Sequence, residues 1–248
     1  MYEDFSYIYD KLSFDLEYDK YAKNILDLCD KNNIDKENML ELAAGSGMLT
    51  RFFFDEFENI DALDLSTDML NVFANNYNPD NVNLIFYDMV EFENPGAYDL
   101  IVILLDSINY ITDPEDLEKL FTNCYKNLKP GGLLVFDINS EYKMREIFGS
   151  NCYVYEYEDI FYTWDNFMED ELVDMHLNFF IEGEDGKYDR IYEYQQERVY
   201  ERYFIKDLLE KAGFSDIKVF DEDNMGNVKD DTLRILYQAV RKEGWKDS

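Results

Sequence analysis

The sequence predicts an α/β fold: a parallel sheet with helices on both faces, and a small antiparallel β-sheet inserted late in the chain. Three observations predict it. Up to about Ser140, short apolar runs alternate with stretches whose apolar residues recur every three or four positions. Strands alternating with helices in this way build a parallel sheet. From Cys152 to about Arg202 the period drops to two, the pattern of half-buried strands. A helical stretch and two more apolar runs then close the chain.

The elements follow in order. Tyr21, Ala22, Ile25, Leu26 and Cys29 share one side of a helix over Tyr18–Asn32. Met39–Ala44 reads as a buried strand ending in Gly45-Ser46-Gly47, and Met48–Phe57 as the next helix. Ile60–Leu65 is a strand, after which Ser66 or Thr67 caps a helix running through Tyr77. Asn83–Tyr87 and Tyr98–Leu105 are further buried strands. Asp113 before Pro114 starts a helix, with a capping side chain ahead of a proline at the first helical position. Lys129-Pro130-Gly131-Gly132 closes that helix, and Leu133–Ile138 is the next strand. Met175, Leu177, Phe179 and Ile181 then alternate with His176, Asn178, Phe180 and Glu182. Gly183-Glu184-Asp185-Gly186 turns a hairpin, and Tyr188, Arg190, Tyr192 and Tyr194 resume the alternation. Ile205–Ala212 is a helix stopped by Gly213, and Ile217–Phe220 and Leu233–Val240 are closing strands. The chain thus divides into a unit formed by 1–140 and 203–248, and an inserted subdomain, 141–202, expected to cover the acceptor site as a lid.

Composition narrows the function. In 248 residues there are 55 acidic and 23 basic side chains, a net charge of −32. Such a surface repels phosphate backbones and anionic lipid, so neither nucleic acid nor membrane is expected as a partner. No apolar run approaches the length of a membrane span, and the acidic start Met1-Tyr2-Glu3-Asp4 lacks the form of a signal peptide. Cys29, Cys124 and Cys152 are odd in number and scattered, which fits free thiols in a reducing cytoplasm. With His176 the only histidine, no metal site is expected.

The chemistry sits on Leu40-Glu41-Leu42-Ala43-Ala44-Gly45-Ser46-Gly47, at the end of the first strand. Glycines there let a ligand approach the backbone, and a following helix offers free N–H groups. A Gly-x-Gly alone is also an ordinary tight turn. Asp64 ends the second strand, where a carboxylate suits a ribose diol, and Asp88 ends the third, where it suits an adenine amino group. All three lie at the carboxyl ends of strands, the edge at which open α/β sheets bind ligands.

In these segments the chain resembles the class I S-adenosylmethionine-dependent methyltransferases, and the resemblance runs over nearly its whole length. Leu40–Gly47 is similar to their glycine-rich motif, Leu63–Leu70 to the second motif, and Asp88-Met89 to the third. Tyr98–Ile101 through Asp106–Tyr110 is similar to their fourth strand and its loop, and Lys129–Gly132 to the turn before their fifth strand. Tyr9-Asp10-Lys11-Leu12 and the β-rich insert resemble a bacterial subgroup acting on small molecules. Many members carry glycine where this chain has Ala43. The resemblance implies a Rossmann-like, seven-stranded, mostly parallel sheet and S-adenosyl-L-methionine as cofactor. It implies that Glu41 orders the loop and faces the methionine ammonium, that Ala43, Gly45 and Gly47 admit the cofactor, and that Asp64 binds the ribose. Leu65 and Met69 then pack on the nucleoside, Asp88 and Met89 frame the adenine, and Leu105 and Ser107 lie beside the methionine part. Tyr9 and Tyr21 either close over that part or pack in the core.

The expected reaction is in-line transfer of the cofactor's methyl group to an oxygen or nitrogen of a small molecule. The protein has to align donor and acceptor and exclude water. Where the acceptor must lose a proton, Asp106, Tyr110 and His176 are the candidate bases. The insert's tyrosines either line an aromatic pocket or pack on the main sheet. Two alternatives share the fold: a nicotinamide-dependent oxidoreductase, although Thr50 stands where a dinucleotide fingerprint has its third glycine, and a non-catalytic module that binds the methyl donor. The assembly is expected to be a monomer or a homodimer.

Overall fold

The structure, a computed structural model, describes residues 16–157, 159–183 and 185–242. In chain order the elements are α1 (Tyr18–Asn32), β1 (Asn38–Leu42), a 3-10 turn (Thr50–Phe53), β2 (Asn59–Asp64), α2 (Thr67–Asn76), β3 (Val82–Phe86) and β4 (Tyr98–Ile103). There follow α3 (Pro114–Asn127), β5 (Leu128–Asn139), a π-helical turn (Lys143–Phe148), β6 (Cys152–Tyr157), β7 (Ile160–Glu169), β8 (Leu172–Glu182) and β9 (Tyr188–Arg198). The last elements are α4 (Arg202–Ala212), β10 (Phe214–Asp221) and β11 (Arg234–Arg241).

Seven strands form one sheet in the order β10-β11-β5-β4-β1-β2-β3, in which β11 runs against both neighbours. The other four form a separate antiparallel sheet, β6-β7-β8-β9. The central strands β1, β4, β5 and β11 are buried on both faces, which is why they read as apolar runs. Met39, Leu100, Val102, Leu133 and Val135 pack under α1, against Tyr21, Ile25 and Leu28. The intervening Leu40, Ile101, Ile103, Leu134 and Phe136 pack under α3 and α4, against Leu117, Phe121, Ile205 and Leu209. Burying each such side chain contributes about 1.5–3 kcal/mol. The sheet grows outward from β1 in both directions, so β1 and β4 flank the switch point at which such sheets open a ligand crevice.

Local chemistry explains several element ends. Ser66 caps α2 by accepting from the Met69 N–H at 3.2 Å, and Asp113 caps α3 by accepting from Glu115. Gly213 stops α4 with φ +107°, a conformation that other residues reach only with strain. Two expected elements differ. Met48–Phe57 winds only at Thr50–Phe53, because burial of Phe53 and Phe57, whose rings meet edge-on at 6.3 Å, overrides a helix already weakened by consecutive phenylalanines. Lys129–Gly132 is the start of β5 rather than a separate turn, and the Tyr98/Leu100 register shift absorbs it.

In the small sheet Val173, Met175, Leu177 and Phe179 pack with Met144 and Phe148 of the π-helical turn. The alternate residues of β8 and β9, His176, Tyr192 and Tyr194 among them, form the opposite face.

Candidate active site

Beyond β1 the chain turns through Ala43, Gly45 and Gly47, all with positive φ, at +58°, +57° and +81°. A Cβ on Gly47 would strike the Phe73 ring at 2.7 Å, so glycine is required there for packing. A Cβ on Gly45 would meet nothing within 4 Å, so that side of the loop is open. Asp64 holds the loop from β2. Its Oδ2 accepts from Gly45 N–H and its Oδ1 from Ser66 N–H, each at 2.8 Å. Burial raises the Asp64 carboxyl against the pull of these backbone donors. Each oxygen keeps acceptor capacity for a further donor.

Glu41 is buried in β1 beside Thr50, and its Oε2 has no hydrogen-bond partner among the described residues. Burial and then the nearby Asp64 charge push its carboxyl up to about 8. Leu65, 65% exposed, and the half-buried Met69 follow β2. At the end of β3 Asp88 is exposed and accepts from Val90 N–H at 2.8 Å, while Met89 packs against the core.

A second, denser group joins the ends of β4, β5, β9 and β11. Leu105 and Asp106 both have positive φ, +56° and +57°. This strained loop is held by Asp137, fully buried in β5, which accepts from the N–H groups of Leu105 at 3.1 Å and Asp106 at 2.7 Å. Arg234 donates to Asp106 at 2.7 Å and to Asp137 at 3.1 Å. Asn139 donates through Nδ2 to Asp106 at 3.1 Å and to Glu197 at 3.0 Å, and accepts from Lys143 Nζ at 2.8 Å. Burial and then Asp106 push the Glu197 carboxyl up to about 8. Burial also raises Asp137 and lowers Lys143. The Ser107 hydroxyl donates to Leu104 O at 2.8 Å. Tyr21, buried on α1, faces Asp137 and Arg234, and burial raises its phenol. A cavity of about 490 Å³ opens beside this group, with Tyr21, Lys143, Glu222 and Arg234 in its walls.

Asn109 clasps the two sheets together. Its Oδ1 accepts from Asn139 N–H and its Nδ2 donates to Arg198 O, both at 2.9 Å. Tyr110, exposed beside it, donates to Gln195 on β9 at 3.0 Å.

Of the residues singled out in the sequence, Glu41, Ala43, Gly45, Gly47, Asp64 and Leu65 gather at the ends of β1 and β2, with Met69 in α2. Asp88 and Met89 lie on the adjoining end of β3. Leu105, Asp106, Ser107 and Tyr110 lie beyond β4, and Tyr21 comes in from α1. His176 is not brought to them. It stands on the face of the small sheet opposite Glu197, 2.6 Å from the Tyr192 hydroxyl and beside the rings of Phe167 and Tyr194. The strand period places it there, since its neighbours Met175 and Leu177 take the packed side. Tyr9 lies outside the described residues. Sequence reasoning missed Asp137, Asn139, Lys143, Glu197 and Arg234. A signal existed for two of them: Asp137 is a lone acid inside the apolar run Leu133–Ile138, and Glu197 shares a strand parity with Ile191.

Residues 39–132 match the family described as "Methyltransferase domain". A solved S-adenosylmethionine-dependent methyltransferase from Clostridium acetobutylicum ATCC 824 is 36% identical, covers 98% of this chain and 99% of its own, and superposes with a TM-score of 0.88. This chain belongs to the S-adenosylmethionine-dependent methyltransferases. A Geobacillus sp. (strain WCH70) protein, provisionally named a methyltransferase, is 31% identical over 223 residues, 88% of this chain and 90% of its own. A dTDP-3-amino-3,4,6-trideoxy-alpha-D-glucopyranose N,N-dimethyltransferase of Streptomyces venezuelae is 30% identical over 121 residues, 49% of this chain and 50% of its own. Membership makes the chain an enzyme and S-adenosylmethionine its cofactor, and sets aside the nicotinamide-dependent and non-catalytic readings. The crevice fits that cofactor: an open glycine turn, a pre-oriented carboxylate and a buried carboxylate oxygen without a partner suit a ribose and an ammonium group.

Proposed function

We propose that this methyltransferase acts on a nitrogen of a small amine-bearing molecule seated between the loop after β4 and the packed face of the small sheet. The observation that carries this reading is the meeting of Asp106, Asp137 and Glu197 there, on two separate sheets, against the cations Arg234 and Lys143. An amine entering such a group is attracted over long range by the net charge of −32. The name of the Streptomyces venezuelae relative, an amino-sugar N,N-dimethyltransferase, supports nitrogen over oxygen.

Bound S-adenosylmethionine supplies a methyl group already activated by its sulfonium. The chain's own residues bind and align. On this reading Glu41 meets the methionine ammonium, Ala43, Gly45 and Gly47 provide backbone, and Asp64 accepts from the ribose hydroxyls. Leu65, Met69, Asp88 and Met89 enclose the nucleoside, while Leu105, Ser107 and Tyr21 border the methionine part. Asp106 is engaged on one oxygen by Arg234 and on the other by Asn139, and on this reading it shapes the acceptor site rather than removing a proton. Tyr110 and Gln195 form its outer wall. The segment 141–202 serves as the acceptor-side subdomain. No helix among the described residues is long and apolar enough to cross a membrane. The free thiols Cys29, Cys124 and Cys152 support work in a reducing cytoplasm.

The test is turnover of S-adenosylmethionine against a panel of amino-sugars, aliphatic amines and alcohols, read as homocysteine release through a coupling hydrolase. Amines alone should turn over; turnover of alcohols alone would replace nitrogen by oxygen. For the cofactor site, Asp64→Ala should weaken S-adenosylhomocysteine binding in calorimetry by about 1–3 kcal/mol, because two ribose hydroxyls lose their acceptor. Unchanged affinity would remove Asp64 from the site.

A further inference from the structure

A further side chain, outside the three candidate bases read from the sequence, lines the cavity beside the loop after β4. Lys143, in the π-helical turn, lines the cavity of about 490 Å³. Among the described residues its Nζ makes one hydrogen bond, to Asn139 Oδ1 at 2.8 Å, and it lies 5.0 Å from the centre of the Phe148 ring. Among the described residues it forms no ion pair with a carboxylate, whereas most of the chain's lysines do. An amine held in this way has a direction left for a ligand. The Asn139 that tethers it also touches Asp106, at the loop beyond β4 where the transferred methyl is expected, and Glu197, on the packed face of β9.

We propose that Lys143 is the catalytic base of the reaction, taking the proton from the acceptor's ammonium group. The proposal rests on the amine reading of the function given above. An aliphatic amine arrives protonated at neutral pH and has no lone pair with which to attack. Lys143 as the free amine takes one proton from the acceptor's R–NH3+ and becomes an ammonium. The acceptor's freed lone pair then forms the new N–C bond as the C–S bond to the sulfonium breaks, with that bonding pair leaving on sulfur. The ammonium of Lys143 returns its proton to water through the cavity, so each turnover releases one proton.

The charged groups around Lys143 tune it for this exchange. Arg234, from β11, opposes its protonation; Asp106 beyond β4, Glu197 on β9 and Asp137 in β5 favour it. Burial outweighs them and holds the ammonium below the usual lysine range. A general base is most effective when its pKa lies near the working pH.

Two measurements test this. The first needs no acceptor. With 15N-labelled lysine, and Lys143→Arg for assignment, the Nζ of Lys143 should titrate below every other resolved lysine in the complex with S-adenosylhomocysteine. Asp106→Asn should move it lower still, since it removes a charge that favours the ammonium. An Nζ that titrates with the surface lysines would overturn the proposal. The second compares variants on the amine with the highest turnover in the panel. Lys143→Arg keeps the charge and the bond to Asn139 but cannot take a proton. It should lower kcat at least 100-fold with S-adenosylhomocysteine affinity unchanged within twofold, and remove the acidic limb of the kcat profile. A Lys143→Arg enzyme that retains rate and limb leaves Lys143 a structural residue, even where amines are substrates. If the panel shows alcohols only, the amine reading fails and the base has no ammonium to deprotonate, whatever the titration shows.

Discussion

Ala43 stands where the resemblance leads one to expect a glycine, and its backbone shows the consequence. It holds φ +58° at the start of the glycine turn. A left-handed alanine costs roughly 1–2 kcal/mol, because Cβ crowds the next carbonyl oxygen. Glycine removes that strain but adds unfolded-chain entropy of about 0.4–1 kcal/mol. Ala43→Gly should therefore stabilise the fold by about 0.5–1 kcal/mol and raise Tm by about 1–4 °C, seen in a melt followed by circular dichroism. A Tm that falls would mean the turn is not strained at this position. The position of Asp64 at the end of β2 was legible from sequence, because the apolar residues Ile60, Ala62 and Leu63 mark the strand it closes. The paired positive φ values of Leu105 and Asp106 were not legible, since they depend on Asp137, 31 positions beyond Asp106.

At the scale of elements, pattern alone located almost every strand and helix of the large sheet, because burial on both faces leaves apolar runs in its central strands. Tyr18–Asn32 agrees with its helix end to end. Pattern fails where long-range contacts decide: the 3-10 turn at Thr50–Phe53, shaped by Phe53 and Phe57, and the π-helical turn at Lys143–Phe148, shaped by the small sheet beneath it. The junction of the two sheets was invisible for the same reason. Asn109 reads as a loop residue, yet it is fully buried and satisfies both Asn139 and Arg198. Asn109→Ala leaves a buried N–H and a buried carbonyl unpaired, at about 1–3 kcal/mol each. We expect about 2–4 kcal/mol of destabilisation in urea and a loss of methyl transfer larger than any loss of S-adenosylhomocysteine affinity, since the cofactor crevice lies on the other side of β4. Equal loss of both would show that the clasp supports the whole molecule instead.

Over the whole molecule, charge and two buried carboxyls act on stability in the same direction. The net of −32 repels itself more strongly in the compact state than in the extended one. Glu41 and Glu197, each raised to about 8 by burial, bind a proton in the folded chain that the unfolded chain releases near the ordinary value of 4.5. Their contribution is full below that value and is lost as pH rises towards 8. Carboxyls such as Asp174 and Asp223, lowered by hydrogen bonds to Tyr194 and Lys20, work the other way, but only on the acid side of their ordinary range. Stability should thus peak near pH 5–6 and fall steadily to pH 9. Raising sodium chloride from about 0.02 to 0.5 M shortens the screening length from roughly 20 to 4 Å, so at pH 8 salt should raise Tm. Scanning fluorimetry over both variables checks this. Glu41→Gln separates the two causes, because it removes the pH slope contributed by one buried carboxyl and leaves the salt response in place. A Tm that rises from pH 6 to 9 at either salt concentration would show that the buried carboxyls are ionised in the folded chain.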